Sequence, residues 1–467
     1  MLSLVLFAFF LRFMFLGRES LWIDEVMTSV RADMSFIGMI RSIAQRDHLP
    51  LYYSLMWSWV RIFGSSEAAL RSLSAVAGSL AVIPLYLIGR RRGSKEALLV
   101  GMVGASLPTL VYFGQEAKMY SLLVLLSSVS FLSFLELLSP SLMRRRTAST
   151  ILLVSNTCLV YTHYYSFLFI TAEALALFMF LRKKEGTVKK GFSGLFGIGW
   201  PLPVSLLMSL PWWIFLLKEG YLFSLSTGGG MSLTPWNILS AVPFLLGAYR
   251  VPTGLDYAPM VIVVLLMLSA LALSLFKRGG GLPGLSDELL LSVPVILFTF
   301  AASLLISVFL INIYGSRYFL VLSPLLLFLS VLPLVKGRMG KVRDGVLVSV
   351  ILFSLIANGV QYQKIEKEDW RGAVSFVEDH WEDGDVVIPV PFWERYSIGY
   401  YGPDLEMVYA SNAEDLDRNV IDSGRMWLIL REARDDGWTL EHLGERFGAP
   451  LMTRNFRGLT VHLFEAE

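Results

Sequence analysis

The sequence predicts an α-helical polytopic membrane protein that ends in a small soluble α/β domain. Three observations carry this prediction. Hydrophobic residues make up 55% of the 467 positions and charged residues 17%, where ordinary soluble domains carry roughly 25% charge. Mean hydropathy is +0.59. The apolar residues gather in long runs separated by short polar connections, and the pattern changes abruptly near Gln361.

The first run, Met1 to Leu16, has the look of a signal peptide, but no small-residue cleavage site follows it; Arg18-Glu19-Ser20-Leu21-Trp22 comes next. It is read as a retained first span. Further runs lie near 68–89, 96–113, 119–138, 149–163, 165–181, 192–217, 258–276, 287–313, 318–335 and 345–361, each near the roughly 20 residues that a hydrocarbon core requires. With the first segment these make about eleven transmembrane helices in residues 1–361. Arg90-Arg91-Arg92, Arg144-Arg145-Arg146, Arg182-Lys183-Lys184 with Lys189-Lys190, Lys277-Arg278, and Lys336 to Arg343 punctuate alternate connections. The positive-inside rule places these clusters in the cytoplasm. It gives a cytoplasmic N-terminus and a multi-pass protein of the cell membrane. Two runs, Leu49 to Phe63 and Trp236 to Ala248, are short for crossing and are read as interfacial or re-entrant helices.

The remaining connections then face outward: a first external loop over 17–67, the turn at Gln115 to Met119, the turn at His163, the segment Lys218 to Tyr257, the turn at Arg317, and the tail. Their Trp and Tyr content suits an aromatic belt. In the tail, 362–467, apolar bursts such as Asp385-Val386-Val387-Ile388-Pro389 and Met426-Trp427-Leu428-Ile429-Leu430 alternate with helix-like stretches, the pattern of a small extracytoplasmic α/β domain.

Several classes are excluded. A net charge of +2, scattered along the chain, gives no footprint for nucleic acid. The tail carries no GxGxxG, so a dinucleotide site there is not expected. The single cysteine, Cys158, lies in an apolar run and supports neither a disulfide framework nor a thiolate zinc site.

The candidate functional residues sit in the outward connections. Asp24 and Glu25 follow Leu21-Trp22-Ile23 just after the first span, ahead of an amphipathic stretch, Met34 to Ala44. Adjacent carboxylates repel each other, which suits one of them to accept a proton near neutral pH, or the pair to hold a divalent cation such as Mg or Mn. Gln115-Glu116-Ala117-Lys118-Met119-Tyr120 is so short a connection that Glu116 and Lys118 lie at or just inside the interface, where ionisable groups are costly and are usually paired or functional. His163-Tyr164-Tyr165 joins two spans with almost no loop. Arg71, at the outer start of a span, and Arg317-Tyr318 supply guanidinium groups suited to bidentate phosphate binding. Taken singly, these residues have ordinary roles: helix cap, snorkelling lysine, interface histidine, membrane anchor. Taken together they furnish a base for an acceptor hydroxyl and cations for a departing phosphate, the needs of transfer from a lipid-phosphate donor.

The order of motifs resembles a known family. Ser20-Leu21-Trp22-Ile23-Asp24-Glu25, His48-Leu49-Pro50-Leu51-Tyr52-Tyr53, Phe63-Gly64 with Arg71, Gln115-Glu116-Ala117-Lys118-Met119-Tyr120 and Thr162-His163-Tyr164 are similar to the GT-C glycosyltransferases of the protein mannosyltransferase and aminoarabinose transferase type (glycosyltransferase families 39 and 83). The resemblance covers roughly the first 180 residues with specific motifs; the Arg317-Tyr318 turn and the tail fit less distinctively. It implies a GT-C fold and inverting transfer from a polyprenyl-phosphate monosaccharide, dolichyl- or undecaprenyl-linked, to a hydroxyl of a protein, glycolipid or glycan. It also implies Asp24 as the catalytic carboxylate with Glu25 beside it. Arg71, Lys118 and Arg317 become candidates to hold the phosphate, Glu116, Tyr120, His163, Tyr164 and Tyr318 to orient donor or acceptor, and Glu25 a candidate metal ligand. Two positions depart from the pattern. Lys118 stands where Arg is common, keeping the charge without the bidentate geometry, and Leu49-Pro50 replaces a proline pair. The WWDYG signature of oligosaccharyltransferases is absent, which disfavours en bloc transfer to asparagine.

The rival reading is a transporter or flippase for a lipid-linked substrate, since intramembrane charges also mark transport pathways. It calls for polar groups at the midplane and repeated halves, whereas the polar groups here fall in connections and no repeat is visible. A non-catalytic scaffold would leave the acidic first loop without a purpose.

Overall fold

The computed structural model describes residues 1–46, 48–185, 187–221, 231–245, 287–331, 338–364, 367–409, 414, 416, 424–432 and 438–465. The chain divides into two compact units. One comprises Met1–Met14, Ser35–Trp59 and Arg71–Gln361; the other comprises Phe15–Met34, Val60–Leu70 and Tyr362–Glu467. This division differs from a boundary at residue 361, because two stretches of the first loop pack with the tail rather than with the spans.

The first unit is helical. Among the described residues six helices are long and apolar enough to cross a membrane: Glu67–Arg90, Tyr120–Leu138, Tyr165–Lys184, Pro201–Lys218, Leu289–Phe309 and Asp344–Gln363. Each falls on a run expected to span. The run near 96–113 is a bent pair, Ser94–Ser106 and Pro108–Gly114, and those at 1–16 and 318–335 contain the shorter apolar helices Leu2–Phe13 and Ser316–Leu329. The run near 149–163 forms the 16-residue helix Arg145–Val160, and the one near 258–276 lies outside the described residues. Pro50–Phe63 and Pro235–Leu245 are both helices.

The helices order the connections by end. Arg91 pairs with Glu136 and donates to the Ser141 hydroxyl at 3.0 Å, while Lys95 pairs with Asp344. These contacts bring the connections around 91–95, 136–141 and 344 to a common end. At the other end the turns after Gly114, after Val160 and before Ser316 meet.

The bent pair shows how a polar group inside an apolar unit is used. Pro108 has no N–H and forces Leu107 out of helical geometry, to φ −57 and ψ 122. The helix stops at Ser106 and restarts at 54° to its former direction. The carbonyls of Gly104, Ala105 and Ser106 thereby lose their helical partners. All three are recaptured: Arg12 donates to Gly104 O at 3.2 Å and to Ala105 O at 2.9 Å, and Asn358 donates to Ser106 O at 2.7 Å. Glycines make room for the guanidinium; a Cβ on Gly78 would lie 2.8 Å from Arg12 Nε, and one on Gly114 2.8 Å from Arg12 Cδ.

The second unit contains a four-stranded sheet in the order β1 (Val386–Val390), β2 (Arg425–Arg431), β4 (Leu459–Glu465), β3 (Met452–Phe456). β1 and β2 are parallel, and the other pairs are antiparallel. The two apolar bursts of the tail are thus adjacent strands. Their alternation sorts the core: Val387, Trp427 and Ile429 pack with Trp370, Val374, Val377 and Ile398, while Val386, Ile388, Met426 and Leu428 pack with Leu443. The sheet is therefore covered on one face by the helices Trp370–Asp379 and Arg395–Tyr401 and on the other by Trp438–Phe447. Pro389 is accommodated because β1 is the first strand of the order.

Replacing Arg12 by Met should leave the Gly104 and Ala105 carbonyls unsatisfied in an apolar setting and destabilise the protein by roughly 2 kcal/mol or more. Thermal unfolding of the purified protein in detergent or lipid would register this as a lower midpoint for Arg12→Met than for wild type.

Candidate active site

The acidic pair belongs to the second unit. Ile23–Asp33 is a helix with Trp22 at its N-cap, so Asp24 and Glu25 occupy its first turn, where negative charge is favoured by the exposed N–H groups. Adjacent helical positions point about 100° apart, and the two carboxylates have different surroundings. Glu25 is fully buried; its Oε2 receives Lys367 Nζ at 2.8 Å, and the lysine side chain is itself only 5% exposed. Asp24 is half-buried. The expected repulsion is thus answered by a cation from the tail, and the two acids are no longer equivalent. A divalent cation at Glu25 would have to displace this ammonium. Among the described residues no group of three or more His, Cys, Asp or Glu is placed to hold a metal ion.

The loop ahead of the pair is held by the same unit. Tyr401 accepts a hydrogen bond from Leu21 N at 2.7 Å and donates to Glu67 Oε1 at 2.6 Å. Arg371 pairs with Glu67, donates to Gly17 O at 3.1 Å, and its backbone N–H donates to Ser20 Oγ at 3.3 Å. Arg18 donates to Tyr362 O at 2.6 Å.

The other candidates belong to the helical unit, at the end opposite the Arg91 and Lys95 pairs. Glu116 and Lys118 are 2% and 3% exposed. Glu116 accepts from the Tyr112 hydroxyl. The backbone carbonyl of Lys118 accepts from Ser74 Oγ at 2.9 Å, and Ser74 in turn receives Tyr52 OH at 2.9 Å. This chain fixes the helix Glu67–Leu80 against the 115–120 turn. Arg71, also buried, lies one turn before Ser74 on the same helical face.

A basic and aromatic group completes this end. The Arg317 guanidinium lies over Tyr120 at 5.6 Å and over Tyr318 at 5.5 Å, an arrangement that stabilises a cation by the ring quadrupoles. His163 packs against Tyr318 at 4.9 Å, Tyr165 at 5.7 Å and Tyr120 at 6.2 Å. Its Nδ1 accepts from Tyr165 N at 3.1 Å, which assigns the proton of the neutral ring to Nε2. Burial pushes its pKa from the ordinary 6.5 down to about 3, and the positive charge of Arg317 acts in the same direction. His163 is thus a neutral hydrogen-bonding group rather than a cation.

Glu116, Lys118, Tyr120, His163, Arg317 and Tyr318 accordingly lie at a common end of the helices. Tyr164 does not join them: its ring faces Trp213 at 6.2 Å, packed on the apolar cluster of Met39, Ile43, Tyr53 and Trp212. Tyr112, Ser74 and Lys367 carry no signal in the sequence that would select them. Lys367 is one lysine in a charged run at the start of the tail, and only its burial against Glu25 distinguishes it.

The resemblance read from the motifs is matched by a family model over part of the chain and, in fold, by solved structures. Residues 47–215 match the family model described as dolichyl-phosphate-mannose-protein mannosyltransferase. The fold is similar to that of ArnT from Cupriavidus metallidurans in the apo state, with a TM-score of 0.62 at 10% identity, covering 99% of this chain and 97% of that one. ArnT from the same organism bound to undecaprenyl phosphate gives a TM-score of 0.60 at 11% identity over the same shares. The apo oligosaccharyltransferase of Archaeoglobus fulgidus gives 0.53 at 12% identity, over 95% of this chain and 71% of that one. No curated protein matches the sequence. At these identities the solved structures establish the fold, and the protein is a multi-pass membrane protein with an ArnT-like fold.

The neutral state of His163 has a consequence for stability. Its folded pKa lies below its unfolded value, so between about 6.5 and about 3 the unfolded chain binds the extra proton and stability falls with falling pH. His163→Gln should reduce the loss of thermal stability between pH 7.5 and pH 5 (roughly the window in which an exposed imidazole titrates); an unchanged difference would show that His163 titrates normally.

Proposed function

We propose that the protein is a glycosyltransferase that moves a sugar from a polyprenyl-phosphate monosaccharide to an acceptor hydroxyl on the extracytoplasmic side. The observation that carries this reading is the set of cations at one end of the apolar helices: Arg71 and Lys118, 2% and 3% exposed, with Arg317 seated on Tyr120 and Tyr318. Burying charge beside a hydrocarbon phase is costly and marks a functional region, and these residue types suit the phosphate of a lipid donor. The family match over 47–215 includes Arg71, Glu116, Lys118, Tyr120 and His163, and the ArnT fold relative is described as bound to undecaprenyl phosphate.

The chemistry follows from the residue types. The acceptor oxygen attacks the anomeric carbon from the face opposite the phosphate, and its proton passes to the Asp24 carboxylate. The bond from the anomeric carbon to the phosphate oxygen breaks, and the polyprenyl phosphate leaves with the bonding electrons, its charge held by Arg71, Lys118 and Arg317. The anomeric configuration inverts. His163 Nε2–H and Glu116 are a donor and an acceptor suited to orienting sugar hydroxyls. Glu25, engaged by Lys367, supports the turn rather than the reaction. The absence of WWDYG favours a monosaccharide donor over en bloc transfer, and the positive-inside reading puts the N-terminus in the cytoplasm of a cell-membrane protein.

The test is transfer of radiolabelled sugar from a panel of undecaprenyl- and dolichyl-phosphate monosaccharides by purified protein in lipid. Asp24→Asn should abolish turnover while the protein stays folded, and retained activity would remove Asp24 as the base. Lys118→Gln should lower kcat by about 100-fold, on the scale of losing one charge-stabilising donor; an effect confined to KM would assign Lys118 to ground-state binding alone.

A further inference from the structure

We propose that Lys367 is a positioning residue for the acidic turn: its ammonium locks Glu25 inward and so sets the orientation of Asp24, making the start of the tail part of the apparatus that prepares the base. The inference rests on Asp24 being that base.

Three observations support it. First, the pair is enclosed: Lys367 Nζ and Glu25 Oε2 are 2.8 Å apart, with side chains 5% and 0% exposed. A buried ion pair of this kind is intolerant of losing either partner, since the other charge is then left uncompensated. Second, Lys367 is itself fixed by its backbone. Its N–H donates to Glu19 Oε1 at 3.3 Å, and its carbonyl accepts from Arg457 Nε at 2.7 Å. The Arg457 carbonyl in turn accepts from Asp369 N at 3.0 Å, and Asp369 caps the helix Trp370–Asp379 through Gly372 N at 3.1 Å. Lys367 therefore transmits the position of the β3–β4 hairpin and of this helix to the acidic turn. Third, the contacts are concentrated on the segment leading to Asp24. Gly17, Arg18, Glu19, Ser20, Leu21 and Glu25 each bond to a residue between Tyr362 and Tyr401.

The physical consequence is directional. Asp24 and Glu25 are successive residues of one helical turn, so fixing one side chain inside fixes the direction of the other. Without the ammonium, Glu25 loses a buried counter-charge, which favours either a shift of the first helical turn beside Asp24 or uptake of a proton at Glu25. A base displaced by about 1 Å loses rate rather than affinity.

The experiment uses the full-length protein in lipid and reads two quantities. Hydrogen exchange of the backbone over residues 17–26 should accelerate about tenfold or more in Lys367→Met, the mark of local opening, and stay near wild type in Lys367→Arg, which keeps the charge. In the sugar-transfer assay, Lys367→Met should lower kcat by about 10- to 100-fold with KM for the donor within about threefold. Lys367→Arg should recover most of the rate. The double variant Glu25→Gln with Lys367→Met should be more active than Lys367→Met alone, because a neutral pair leaves no buried charge; it also serves if the single variant fails to fold.

The two readings separate cleanly. If Asp24→Asn turns over like wild type, the catalytic assignment falls while the exchange data still report on the lock. If Asp24→Asn is inactive but Lys367→Met matches wild type in exchange and kcat, or the two changes at Glu25 and Lys367 combine additively, the positioning role is overturned.

Discussion

In a chain of this hydropathy, backbone groups freed by a break in the apolar helices need partners from elsewhere in the same chain. Hydrocarbon supplies no hydrogen bonds, so an irregular stretch of backbone persists only where side chains replace the water that a soluble protein would use. The break at Leu107-Pro108 shows this constraint at work. The proline frees three consecutive carbonyls, and Arg12 and Asn358, from the helices Leu2–Phe13 and Arg338–Gln363, take all three. The charged residue buried in the first helix is thus explained by a proline about a hundred positions away, and the glycines at 78 and 114 by the volume of that arginine.

The same constraint shapes the candidate active site. Lys118, Glu116 and Arg71 sit in a short turn and at a helix start, where polar ends of the chain and apolar spans meet. Each is buried, yet the surroundings are polar and aromatic: the Tyr52–Ser74 chain to the Lys118 carbonyl, the Tyr112 hydroxyl on Glu116, and the rings beneath Arg317. The aromatic faces beneath Arg317 stabilise its guanidinium through their ring quadrupoles. His163 is held neutral beside that arginine and adds no charge of its own to the site.

The acidic turn follows a different logic. Two adjacent carboxylates repel, and the repulsion is resolved by dividing their roles: Glu25 is enclosed with Lys367, and Asp24 remains half-buried. The tail, which from its composition reads as an appended domain, supplies the lysine and most of the bonds that hold residues 17–21. This explains why the stretches 15–34 and 60–70 belong to the same compact unit as the sheet.

Hydrophobic runs near span length, the basic clusters between them and the strand-like bursts of the tail are local properties, and they determined the class of the fold directly: six apolar helices and the β1–β2 pair fall where periodicity and composition put them. Glu116, Lys118, His163 and Arg317 stand out in the sequence as candidates because ionisable groups at or just inside the interface are costly, and Asp24 because of the carboxylate beside it. What the sequence left open were relations between distant positions. A bend at residue 107 was hidden inside a continuous apolar run; Tyr164 was indistinguishable from His163 until its ring was found against Trp213; and Glu25 matched Asp24 in every local respect. Those distinctions depend on which partner the fold delivers to each side chain. Partners such as Lys367, 342 residues from Glu25, are set by tertiary packing, since burial and the cost of leaving a charge uncompensated are properties of the assembled structure and not of any segment.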